Sequence, residues 1–323
     1  MFKRFSVLFI VSVLVLSVVG TAFATDDGPN AVVPGNGGIG GIVPPHGDVT
    51  SDTAQLGNGK LTYHGGPIMH TNVTYAIYWL PAGYSYAGGY IGAINQYFID
   101  VAAASLSTTN VYYAASQYYS LPGPVYVTTK STFGGAYLDT QAFPASGCSL
   151  YTSGITKCLT DRQIRAEIKR VMAVKGWVAG PSRLFFMFTP YGVGSCSGSS
   201  CAFTSYCAYH GNDGALLYAN QPYTYTKPSN CGLDFVTASS PHGLAADSTI
   251  NVVSHEHNEA MTDPKVTSGP YAWYDAAGYE NGDKCAWNFG PLGIGYNQTI
   301  NGHHYILQKE WSNHSNSCRL TGR

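Results

Sequence analysis

Ser248 to Met261 reads STINVVSHEHNEAM. A helix is predicted to begin at Ser248 and to close at Asp263-Pro264, because the residue before a proline is steered away from the helical conformation. On such a helix residues four apart lie one turn above each other. His255 and Glu259 can therefore reach one ion, with Glu256 beside them. This is the logic of H-E-x-x-H, where two ligands one turn apart hold zinc and the intervening Glu acts on its water. Here Glu259 takes the place of the second His, which makes the site harder and less selective for zinc. His257 is displaced by roughly 200° around the helix from His255, so it is expected to be a partly buried histidine hydrogen-bonded to a loop. Asp263 falls two turns beyond His255 and is expected to terminate the helix.

A third ligand has to come from elsewhere, and Tyr279-Glu280-Asn281-Gly282-Asp283-Lys284-Cys285 offers two. Glu280 is the first choice. Asp283 is the second, since an acid so near a glycine often only closes a turn. His303 and His304 are adjacent on a predicted strand and point to opposite faces, so at most one could contribute; both are expected to be ordinary histidines. Tyr274, Tyr279 or Tyr296 could donate to a developing oxyanion. The cation expected in an open cleft formed by His255, Glu259, Glu280 and Asp283 is Zn2+, with Ca2+ as the alternative.

Outward from this helix, Asn72–Trp79 is rich in β-branched and aromatic residues and reads as a strand. Tyr90, Ile91, Ile94, Tyr97, Phe98 and Val101 recur at helical spacing, and Val125–Thr129 suggests a short strand. Thr160 to Gln163 forms a capping box ahead of Ile164, Ile168, Val171 and Met172, and Gly176 can end that helix. Arg183–Phe188 (RLFFMF) reads as a strand buried on both faces. A Gly- and Cys-rich crossing leads to another strand at Ala215–Asn220 (ALLYAN), and His304–Trp311 suggests a closing strand. The expected class is α/β or α+β, a single disulfide-bonded domain with a mixed sheet.

The 323 residues carry 17 Lys+Arg against 18 Asp+Glu, are 45% hydrophobic, and include 25 Tyr and 38 Gly. Disorder is excluded by that hydrophobicity, and bulk attraction to nucleic acid or an anionic membrane is not encoded. Lys3 and Arg4, an apolar run from Phe5 to Val19 and Ala22-Phe23-Ala24 form a secretory signal over residues 1–24. The protein is thus expected to be secreted and extracellular, off the membrane once the signal is cleaved. Residues 25–62 read as a Gly/Pro-rich linker or pro-segment, and residues 63–323 as the folded domain. Eight cysteines in an exported chain imply four disulfides, and their clustering favours Cys148 with Cys158, Cys196 with Cys201, Cys207 with Cys231, and Cys285 with Cys318. Asn72, Asn297 and Asn313 match the glycosylation pattern. Gly194-Ser195-Cys196-Ser197-Gly198 is only superficially a nucleophile elbow, with Cys at the nucleophile position.

The order of buried strand, crossing, short strand, loop and H-E-x-x-E helix resembles that of zincin peptidases. In them the second strand forms the substrate-facing edge. The resemblance implies a zincin-like active helix and a peptide or protein substrate lying along Ala215–Asn220. A second resemblance rests on His255-Glu256, Glu259, Thr262, Pro264, Ala272-Trp273-Tyr274, Glu280, Asp283 and Cys285. It continues through Tyr296-Asn297, Asn301-Gly302, Tyr305, Leu307-Gln308, Trp311 and Cys318, with Gly65-Gly66-Pro67-Ile68-Met69 at the start. On these residues the chain resembles the Exordium-like, phosphate-induced proteins of plant cell walls and their bacterial secreted relatives. It departs from them at His303-His304, where they tend to be basic, and at Asp263, where they tend to have Asn. The resemblance implies secretion and singles out His255, Glu256, Glu259, Glu280 and Asp283. Two readings follow. One is a secreted metal-dependent hydrolase, a zinc metalloprotease in which Glu256 activates the water. The other is a non-catalytic wall- or surface-binding protein whose acids hold calcium or join helix to loop, with cell-wall polysaccharide as partner.

Overall fold

Arg183–Phe188 shows why the chain folds as it does. Its side chains alternate between two separate apolar clusters, Leu184, Phe186 and Phe188 in one and Phe185 and Met187 in the other. A strand apolar on both sides has to be covered on both sides. The computed structural model describes residues 41–48, 56–57, 59–150, 153–237, 239–293 and 295–323. The expected signal, residues 1–24, lies outside the described residues, as do residues 25–40 and 49–55.

We label the main sheet β1 (Ile42–Val43), β2 (Thr71–Trp79), β3 (Lys130–Asp139), β4 (Arg183–Phe188), β5 (Ala208–Asp213) and β6 (Leu216–Gln221), in the spatial order β1-β5-β6-β4-β2-β3. β3, β2, β4 and β6 run parallel, whereas β5 is antiparallel to β6 and β1 is antiparallel to β5. The expected mixed sheet in an α/β frame is present. Helices α1 (Tyr90–Ala103) and α3 (Leu244–Thr262) supply apolar residues to the cluster containing Phe186, and α2 (Asp161–Lys175) to the cluster containing Phe185. Each large apolar side chain so buried contributes about 1.5–3 kcal/mol.

The predicted helices form with their expected faces. α2 begins with the Thr160/Gln163 capping box and ends at Gly176 in the left-handed conformation, φ 66°. α3 starts one turn earlier than the sequence indicated, at Leu244, and Asp263 caps its end. All four disulfides join the expected partners.

Several expectations need correction. β3 was not foreseen; its central Gly134 is required because a Cβ there would lie 2.4 Å from the Tyr75 ring, next to a bulge at Thr74/Tyr75. The strand expected over Val125–Thr129 is confined to Val125–Tyr126. The closing strand divides into two short ladders, His303–Tyr305 with Gln298–Ile300 and Glu310–Ser312 with Ser317–Arg319. Between them the backbone N–H of Gln308 donates to Asn251 and that of Lys309 to Asn288, so this stretch docks on the core instead of pairing. Within the expected linker, Ile42–Val43 joins the sheet. The amides of Asn72, Asn297 and Asn313 are all engaged internally, by Met261, by Phe289 and Leu307, and by Leu61 respectively.

Candidate metal centre

Almost the whole of α3 is buried, from Ala246 to Thr262. Helices hydrophobic all round are the ones normally buried this way, yet this one carries Asp247, Asn251, Ser254, His255, Glu256, His257, Asn258 and Glu259. Each buried polar group needs a partner or costs free energy. Some have one. His257 lies between Tyr112 Oη (3.1 Å) and Asn72 Oδ1 (2.8 Å), bonded to a helix and a strand and wholly buried, not partly buried against a loop. Burial lowers its pKa to about 3, so it is a neutral core histidine.

The other face differs. His255 Nε2 is 2.9 Å from Glu259 Oε1 and 3.6 Å from Asp283 Oδ1. Ligand atoms held by a tetrahedral zinc with bonds of about 2.0–2.1 Å stand roughly 3.3 Å apart, and the two separations bracket that value. Among the described residues, His255, Glu259 and Asp283 can bring one ligand atom each to within 4.8 Å of the others, and His210, Glu259 and Glu280 form a second such group. Asp283, not Glu280, therefore meets the His255–Glu259 pair. Glu280 faces His210 instead, its Oε2 4.0 Å from Nε2.

The downstream loop is held against the helix by several bonds. Cys285 is tied to Cys318, Lys284 Nζ is paired with Asp275 at 2.8 Å, and Gln308 Nε2 donates to the Gly282 carbonyl. The Asp283 N–H donates to Glu259 Oε1 at 2.8 Å, and the Glu280 N–H to Asp283 Oδ2 at 3.0 Å. Gly282 makes the approach possible, since a Cβ there would lie 2.9 Å from Glu259 Oε1 and 3.0 Å from the His255 ring.

His210, which the sequence reading passed over, completes the surroundings of Glu256. It projects from β5, with Nδ1 2.9 Å from Glu256 Oε2 and Nε2 3.0 Å from the Asp263 carbonyl oxygen. The clue in the sequence was Asp213-Gly214, a strong hairpin turn signal, which makes Ala208–Asp213 the partner strand of Leu216–Gln221. Because β6 is paired on both sides, by β5 and β4, it has no free edge for a peptide. The expectation that Ala215–Asn220 receives a substrate strand is thus overturned. Glu310, also unforeseen, is buried nearby with Oε1 unpartnered.

The electrostatics are lopsided. Glu256, Glu259, Asp263, Glu280, Asp283 and Glu310 are wholly buried, and among the described residues their ion pairs are all with the imidazoles of His210 and His255. Burial pushes the carboxyls of Glu256, Glu280 and Glu310 well above the usual range. Burial and then the Asp283 charge raise Glu259 to about 8, and burial raises Asp263 to about 7. For His255 burial works downward, but the Glu259 charge and bonds to Asp283 and Glu259 outweigh it, leaving the imidazole well above its ordinary value. Both oxygens of Glu280, Glu259 Oε2 and Asp283 Oδ1 lack hydrogen-bond partners, and His255 Nε2 has the Glu259 and Asp283 carboxylates beside it. A cation would satisfy these atoms, so the donor set fits a divalent ion.

The site is sealed, contrary to the expected open cleft: His255, Glu256, Glu259, Glu280 and Asp283 are each 0% exposed. Other candidates fall away. His303 pairs with Asp100 at 2.8 Å, and His304 stacks on Tyr296 at 3.8 Å. Tyr274 stacks on His64 at 3.6 Å. Cys148, Cys158 and Cys196 are close together, but their sulfurs are spent in disulfides, which also disposes of Cys196 as a nucleophile. No protein-family model, curated protein or solved structure matches the chain.

Proposed function

We propose that the chain is an exported, metal-dependent hydrolase of zincin-like design acting on peptides, with His255, Glu259 and Asp283 as the ligands of a zinc ion. The observation that carries this reading is the buried convergence of these three side chains, with Glu259 Oε2 and Asp283 Oδ1 left without hydrogen-bond partners. A divalent cation there supplies a Lewis acid and lowers the pKa of a water. Glu256, one residue from His255 on the same helix, is the proton acceptor. His210 holds its carboxylate in place and can accept or return the proton through Nδ1. Glu280 stands as a further carboxylate toward His210. Four disulfides support export. An antiparallel strand, β5, beside the H-E-x-x-E helix supports the resemblance to zincins, and the Exordium-like resemblance is consistent with an extracellular setting.

The test is Glu256→Gln. It is expected to retain fold and metal while peptide hydrolysis falls by about 10²–10⁴-fold; unchanged hydrolysis would remove Glu256 from the mechanism. A second reading, a wall- or surface-binding protein whose acids hold calcium, is favoured by one feature: the bonds from Asp283 N–H to Glu259 and Thr262 to Asn281 join helix to loop. Calcium in place of a transition ion, with no hydrolysis of a peptide library, is the outcome it requires.

A further inference from the structure

A hydrolase whose metal ligands and base are wholly buried has to open, and the structure indicates what covers it. β5, which carries His210, has β6 on one edge; the other edge is taken by Ile42–Val43, running antiparallel. An extended peptide binds an exposed sheet edge in this way, through main-chain hydrogen bonds with side-chain pockets for specificity. The Cys207 N–H donates to the Val43 carbonyl at 2.7 Å and the His210 N–H to the Gly41 carbonyl at 3.0 Å. The segment therefore crosses the strand at the residue whose side chain touches Glu256.

Resting on the hydrolase reading above, we infer that the outer edge of β5 is the substrate-binding edge and that residues 41–48 occupy it as an intramolecular stand-in for an extended peptide. Through Gly41 the segment lies against the ring of His210, the side chain that holds Glu256. Its seat also describes the substrate. At Gly41 (φ +83°) a Cβ would lie 2.7 Å from Val266 Cγ2 and 3.3 Å from His210 Cε1, so this position accepts only a very small residue. The next two positions, Ile42 and Val43, are buried, which favours branched apolar side chains. Pro44 then gives its carbonyl to Trp287 Nε1 at 2.7 Å, and the His46 ring stacks on Phe235 at 4.3 Å. A two-residue ladder with these two anchors is a small contact beside the nine-residue β2, which suits a cover that can be displaced.

The experiment uses the full chain carrying a site-specific protease sequence inserted after Asp48. The protein is cut once folded and washed free of the N-terminal fragment. A fluorescent octapeptide with the sequence Gly41–Asp48 is then titrated into intact and cut protein, and amide exchange is followed at Ala208–Asp213. Saturable binding to the cut protein at least about tenfold tighter than to the intact one, with His210 N–H exchange accelerated by cutting and slowed again by the peptide, is expected. Equal binding by both forms, or by neither, overturns the inference. So does a fragment that cannot be washed away from native protein, because the segment is then a permanent strand. The full chain with Ile42→Asp should bind the peptide as the cut protein does. If the intact segment is seated nine-tenths of the time, opening it should raise peptide hydrolysis about tenfold. Absence of bound zinc from both forms would defeat the hydrolase reading separately, since the peptide titration does not depend on catalysis.

Discussion

Among single residues, Glu259 and Asp283 each bury a carboxylate oxygen without a hydrogen-bond partner. Gly282 lets the loop carrying Asp283 approach the His255–Glu259 pair, and Gly282→Ala would put a methyl 2.9 Å from Glu259 Oε1. Overpacking of this kind costs about 1–3 kcal/mol. We expect a destabilised protein with zinc affinity reduced by an order of magnitude or more, since the displaced side chain is a ligand; calorimetric zinc titration reads the change. A residue far from the site gives a pH test. Burial and the adjoining Asp139 raise the Glu167 carboxyl to about 7, against the pull of Arg170. The unfolded chain loses that proton near its ordinary value of about 4.3, so the stability Glu167 contributes is full below that pH and is lost as pH rises through 7. Glu167→Gln does not titrate, and its melting temperature relative to wild type should rise steadily from pH 5 to pH 8. A constant difference would contradict the assignment.

Among elements, what the sequence revealed depended on period and punctuation. The α2 helix was legible at both ends because Thr160 and Gln163 cap each other and Gly176 alone can take the terminating conformation. His255, Glu256 and Glu259 were legible because helical spacing aligns them. β3 was hidden by Gly134-Gly135, which lowers strand propensity for a reason visible only once Tyr75 is packed against it. β1 was hidden because two apolar residues in a Gly/Pro-rich stretch carry no period; their partner, β5, is distant in sequence. His210 is hidden in the sequence along with β5, and Asp283 reads as a turn residue although the turn it closes is also what brings it to the helix. The Cys285–Cys318 bridge, spanning 33 residues, fixes that loop. Its removal in Cys285→Ser/Cys318→Ser should cost roughly 3–4 kcal/mol on chain-entropy grounds. Zinc affinity should fall with it, as seen by denaturant melts with and without metal.

For the whole molecule, the buried carboxylates link stability to metal and pH. With no cation, Glu259 and Asp263 keep their protons to about 8 and about 7, whereas the unfolded chain releases them near pH 4. The metal-free fold therefore loses stability as pH rises from 5 to 8. Metal replaces the Glu259 proton and is bound more tightly as pH rises. The melting temperatures of chelated and zinc-loaded protein should diverge from pH 5 to pH 8, and a constant gap would contradict the linkage. Anomalous diffraction at the zinc edge from crystals of the full chain grown with zinc locates the ion. One strong peak is expected, bounded by His255 Nε2 and carboxylate oxygens of Glu259 and Asp283, which marks these three as the zinc ligands. A zinc peak elsewhere, or calcium alone at this position, would contradict it.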